Sequence, residues 1–116
     1  MADTILRASD LLSDGESAVA VTTDGKRFRV GPDGTGETGN WRVDQSRQPR
    51  RVIIHRTTGD GSAAEVYLAD FVRFRPSDED GRAVIDFANA ERVGLTERGW
   101  KEFASASQNP VRYLPA

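Results

Sequence analysis

The chain has no cysteine, one histidine and only two lysines, Lys26 and Lys101. Without cysteine there are no disulfides, iron–sulfur clusters or thiolate metal sites. His55 stands alone, so a multi-histidine metal site is excluded too, and only carboxylates are left as ligands for a hard cation. No cofactor is expected. Aromatics are sparse, at two Trp, two Tyr and five Phe in 116 residues. No apolar run approaches the ~18 residues of a membrane span. Met1 to Arg7 lack a basic leader followed by a long apolar stretch, so no signal peptide is expected. These absences predict a cytoplasmic protein without a membrane partner.

Charge is plentiful and unevenly spread. The net charge of −2 argues against broad, non-specific attachment to nucleic acid. Residues 1–40 sum to −3, residues 41–75 to +3 and residues 76–116 to −2. Every basic residue of the middle third is arginine: Arg42, Arg47, Arg50, Arg51, Arg56, Arg73 and Arg75. A GC-rich genome would account for arginine in place of lysine throughout, but not for this clustering. Arginine grips phosphate or carboxylate with a planar fork that lysine lacks.

The length fits one domain, residues 1–116. Residues 3–13 read as a short helix capped by Asp3 or Thr4. Residues 18–30 read as a β-hairpin, because Asp24-Gly25 lies between two alternating runs and suits a type I′ turn. Phe28 and Val30 are expected to face inward there. The glycine-rich stretch 31–40 reads as a mobile connector, since it lacks the Gly-Lys-Ser/Thr ending of a phosphate loop. Trp41-Arg42-Val43 suggests a short strand. The unbroken run Val52-Ile53-Ile54 suggests a central strand covered on both faces. A turn at Thr58–Ser62, a long strand or two strands with a bend over 65–75, an acidic turn at 76–81 and a strand over 82–88 follow, with 91–94 as a further extension of the sheet. Residues 96–104 read as a helix with Trp100 and Phe103 on one face. Residues 109–114 close the chain in extended form. The expected class is α+β but mainly β: a curved antiparallel sheet or small pseudobarrel with two short peripheral helices.

Catalysis has thin support. Asp78, Glu79 and Asp80 fall in a turn, where solvated carboxylates are ordinary, and a lone His55 on a central strand is more often structural than a base. Asp44, Asp70 and Asp86 would need to converge in a pocket to act. Aromatics near arginines are what unpaired bases need, stacking plus phosphate contact. Against that, Trp100 with Phe103 is the ordinary way to pack a helix on a sheet.

The order Gly39-Asn40-Trp41, Arg51-Val-Ile-Ile-His-Arg56, Glu65-Val-Tyr-Leu-Ala-Asp-Phe71, Arg82-Ala-Val-Ile-Asp-Phe87, a Trp100 segment and Asn109-Pro-Val-Arg-Tyr113 resembles the PUA-like superfamily, which includes the EVE, YTH and ASCH domains. The resemblance covers about residues 39–114 and leaves 1–38 as an extension. It implies a pseudobarrel with an aromatic-walled pocket for a base or modified base flipped out of RNA or DNA. Trp41 would match the tryptophan near the first barrel strand and Trp100 a late aromatic wall, with Arg42 and Arg112 as backbone or base contacts. The expected binding residues are Trp41, Arg42, Arg50, Arg51, Arg56, Trp100 and Arg112. The competing expectation is a protein-interaction or homodimerising domain working through a sheet edge.

Overall fold

Residues 18–23 govern the architecture. In the run Ala-Val-Ala-Val-Thr-Thr, Ala18 and Ala20 pack into one apolar cluster while Val19 and Val21 pack into another. A strand buried on both faces belongs inside a sheet. The computed structural model, which describes residues 4–58, 63–105 and 110–114, places it there.

Seven strands form one mixed sheet: β1 (Ala18–Thr23), β2 (Phe28–Val30), β3 (Gly36–Trp41), β4 (Arg51–Thr57), β5 (Ala64–Pro76), β6 (Ala83–Thr96) and β7 (Val111–Leu114). Their order is β2-β3-β6-β5-β4-β1-β7. β1 runs parallel to β4 and antiparallel to β7, and the remaining pairings are antiparallel. The fold is thus mostly β, as expected, but mixed rather than purely antiparallel.

The expected 18–30 hairpin does not form, because β1 and β2 are not paired. A type I′ turn needs positive φ at both central residues. Gly25 has φ 102°, but Asp24 is not among the positive-φ residues. Its carboxylate instead accepts from Lys26 N–H, and Thr23 Oγ1 accepts from Gly25 N–H, which makes a local turn that leads the chain away. Val30 is 39% exposed rather than inward-facing.

The actual hairpin joins β2 to β3, so much of the expected connector is strand. Gly31 N–H donates to Thr35 O, and Gly34 turns the chain at φ 85°. The glycine at 36 is a packing requirement. A Cβ there would collide with the Arg29 carbonyl oxygen and sit 2.8 Å from the Phe87 ring.

Among the described residues at the start, only Ala8–Leu11 is helical, as a single 3-10 turn. Ile5 N–H donates to Leu95 O and Thr4 bridges Leu95, so the preceding residues are held extended against β6. Asp3, Gly59–Ser62 and Asn109 lie outside the described residues. The late helix is α1 (Trp100–Ala104), shorter than expected because β6 continues to Thr96. The stretches 82–88 and 91–94 are one strand, bent where Asn89 adopts φ 54°.

The sheet curls strongly. β5–β6 pairing shifts register three times, which bends strands. Phe28 on β2 reaches Tyr67 on β5, ring centroids 5.2 Å apart, although β3 and β6 lie between their strands. The inner face holds Val19, Val21, Val52, Ile54, Ile85 and Phe87. The other face is covered by Ala8, Phe103 and Ala104 over Ala18, Ala20 and Ile53. The sheet does not close into a barrel.

His55 on β4 is a structural residue. It is 2% exposed, within 5.7 Å of the Trp100 ring centroid and 5.0 Å of that of Phe103. Nε2 lies 3.3 Å from Arg98 O, which can only accept, so Nε2 carries the proton and Nδ1 accepts from the Thr22 hydroxyl at 2.8 Å. Burial lowers its pKa below 6.5, which favours the neutral ring.

Two outcomes follow. Because the fold resists a proton that the unfolded chain accepts, His55's contribution to stability is complete above pH 6.5 and is lost as pH falls toward the depressed folded value. Urea midpoints should therefore drop between pH 7.5 and 5.5, before Glu65 and Asp86 begin to protonate, and the drop should shrink in His55→Gln. Ile53→Ala should cost about 2–5 kcal/mol in equilibrium unfolding, as a large-to-small change at a fully buried site.

Candidate functional site

Because the sheet curls without closing, a seam remains where the end of β3 approaches β7. A cleft of about 450 Å³ occupies it, lined by Trp41, Arg42, Arg82, Pro110, Val111 and Tyr113. This volume falls within the usual range for small-ligand sites. β3 delivers Trp41 and the following Arg42. β6 pairing brings Arg82 beside them, since Trp41 is opposite Ala83. β7 supplies Val111 and Tyr113, which share a face because strand side chains alternate.

Trp41 is part of the core as well as a wall of the cleft. It is 8% exposed, and its indole N–H donates to Thr38 Oγ1 at 3.1 Å. Its ring is therefore fixed and presents only a rim. Tyr113 is the more accessible aromatic. The Arg47 guanidinium lies 4.4 Å from its ring centroid, a cation–π contact. The Tyr113 hydroxyl donates to Asp44 O at 2.9 Å, and burial raises its pKa. Asp44 O also accepts from Arg47 N–H, while the Asp44 carboxylate accepts from the side chain and backbone of Ser46. Those bonds lower the Asp44 pKa. The 44–47 turn is thereby fastened to β7. A second cleft, of about 230 Å³, lies on the other side of Tyr113 against Arg47, Gln48 and Pro49.

The arginines separate into two groups. Nine have a carboxylate within 4 Å: Arg27, Arg29, Arg51, Arg56, Arg73, Arg75, Arg82, Arg92 and Arg98. Among the described residues, Arg7, Arg42, Arg47, Arg50 and Arg112 have none. Of these five, Arg42 lines the seam cleft, Arg112 lies on β7, and Arg47 stacks on Tyr113 from the second cleft.

The expected binding residues do not share one surface. Trp41 and Arg42 meet in the seam. Arg112 sits on β7 but alternates to the face opposite Val111 and Tyr113, and its buried Nε has no hydrogen-bond partner among the described residues. The Arg50 side chain is exposed, and its backbone N–H is bound to Ser17 O. Arg51 is engaged by Glu16 and Asp70. Arg56 is paired with Glu65 and borders a different cleft, beside Phe28 and Tyr67. Trp100 packs with His55 and Phe103 on the other face of the sheet from Trp41. Sequence reasoning missed Arg82, which strand pairing brings in from 41 positions away. It also underrated Tyr113, although period-two alternation with Val111 was visible.

Asp44, Asp70 and Asp86 do not converge. Asp86 is held by Arg73 and Arg75, Asp70 accepts from Asn89 and pairs with Arg51, and Asp44 caps its own turn. Among the described residues there is no group of three or more potential metal ligands, and no helix is long and apolar enough to cross a membrane.

Tyr113→Phe removes the bond to Asp44 O. It should cost about 0.5–1.5 kcal/mol in urea unfolding and speed hydrogen exchange at the Arg47 amide. Unchanged exchange would mean that the turn holds itself. In comparisons with family models, curated proteins and solved structures, the chain matches none.

Proposed function

We propose that this chain is a non-catalytic module that binds nucleic acid at the seam between β3 and β7. The supporting observation is the placement of Arg42 and Arg47 beside Trp41 and Tyr113 without carboxylate partners. Elsewhere most arginines are neutralised within the protein, so positive charge is left over where an aromatic cleft opens. That pairing of features suits phosphate contact plus base stacking. The PUA-like resemblance belongs to the same proposal, with the curled, nearly closed sheet as a pseudobarrel and the seam as its pocket. The engagement of Asp44, Asp70 and Asp86 and of both His55 nitrogens favours binding over catalysis.

A homodimer through a sheet edge is less well supported. β2 has three residues and is followed by Gly31-Pro32, and β7 has four and is preceded by Pro110. Arg29 is central in β2 and would face its own copy in a symmetric antiparallel pairing, and Arg112 adds a charge to β7. Short strands, prolines and charges are the usual protections of an edge.

Anisotropy titration of labelled short oligonucleotides across a salt series tests the proposal. Saturable binding should weaken with salt. Arg42→Ala and Arg47→Ala should each reduce the log–log salt slope by about 0.7, the share of one single-strand phosphate contact. Arg92→Ala, remote from the seam, should leave it unchanged. A flat response to every oligonucleotide at low salt would overturn the proposal.

A further inference from the structure

We infer that the free edge of β7 reads an unpaired nucleobase, its backbone N–H and C=O groups pairing with the donor and acceptor atoms on the edge of the base. The inference rests on the nucleic-acid reading above and narrows its ligand to single strands.

The register carries it. Val21 is opposite Val111 and Ala20 is opposite Arg112 in the antiparallel β1–β7 pair. Thr22 N–H donates to Pro110 O at 3.0 Å. In an antiparallel ladder this makes Val21–Val111 a non-hydrogen-bonded pair and Ala20–Arg112 a hydrogen-bonded one. The backbone groups of Arg112 and Leu114 are thus turned toward β1, and those of Val111 and Tyr113 are turned away from it. β7 ends the strand order, and among the described residues nothing pairs with its outer side. Two donor–acceptor sets, about 7 Å apart along the strand, are therefore turned away from the sheet on two of the residues that line the cleft.

The occupant must fit a short edge with positive surroundings. A partner strand is disfavoured by Pro110 and by the four-residue length of β7. A base is smaller and presents donor and acceptor side by side, so it can pair with a strand edge over one or two residues. Tyr113 and the rim of Trp41 provide aromatic surface, Arg42 lines the cleft, and Arg47 stacks on the Tyr113 ring from the neighbouring cleft, so both cations flank the aromatic wall on which a base would rest. A duplex does not fit, because its base edges are already paired and a protein must reach them with a helix or a ribbon. The only α-helix among the described residues has five residues, with Phe103 and Ala104 buried. The β2–β3 ribbon carries Asp33 at its tip, and Gly34 O there accepts from Ala90 N–H.

The experiment compares three labelled probes of equal length at one salt concentration: a single strand, the same strand with abasic sites throughout, and the full duplex. The single strand is expected to bind at least about tenfold more tightly than either of the others, the scale of one stacked base. Equal binding of the abasic strand or the duplex overturns the edge reading while leaving phosphate-driven binding in place. Failure of all three probes overturns the nucleic-acid reading itself. Val111→Pro gives a second arm, since it deletes an N–H that the β1–β7 ladder does not use, a position where an edge strand tolerates proline. It should bring the single strand down toward the abasic level and leave abasic binding unchanged. A folded Val111→Pro variant with wild-type preference for the single strand overturns the inference. If circular dichroism shows the variant unfolded, the three-probe comparison decides alone.

Discussion

The burial of β1 on both faces is the constraint on which the rest of the structure depends. Its alanines let the 3-10 turn and α1 lie close on one side, while its valines join the inner face of the curl on the other. A strand committed to both faces needs neighbours along both edges, and β4 and β7 fill them. The β2–β3 hairpin is consequently displaced to the opposite end of the strand order. Removing side-chain bulk from the inner face would loosen both layers together, because one backbone serves both.

The seam is a consequence of that arrangement. β3 and β7 are brought near each other by curvature rather than by pairing, so the space between them is lined by side chains from both. The charge left there is the residue of a wider pattern. Across the outer face, Arg29, Glu37, Arg75, Asp86 and Arg73 form a chain of ion pairs that spans β2 to β5. Such exposed pairs contribute little stability individually, but they neutralise arginines that would otherwise compete for the same anionic ligands.

Much of the fold was legible because long strands have a strong period. β4 follows from Val52-Ile53-Ile54, and β5 and β6 follow from their alternation. The misreadings share one cause. Local turn chemistry indicates where the chain bends but not which strand lies beside it. Asp24-Gly25 does mark a turn, yet the burial of Ala18 and Ala20 decides the pairing of β1, and small residues conceal a second buried face. Likewise the glycines of 34–39 suggested mobility, whereas at Gly36 the missing side chain makes room for Phe87. At the site, Trp41 and Arg42 were readable because they are adjacent in sequence. Arg82 and the role of Arg47 over Tyr113 were not, because each depends on contacts across the sheet.

The fixed indole of Trp41 has one further consequence. One ring serves both as packing for the inner face and as a wall of the cleft, held by Thr38. A molecule seated in the seam rests on the hydrophobic core itself, with no flexible arm between them. Occupancy is then linked to folding by mass action, since the unfolded chain has no such wall. The cleft is thereby a thermodynamic clasp, in which whatever fills it would also hold the chain in its folded state.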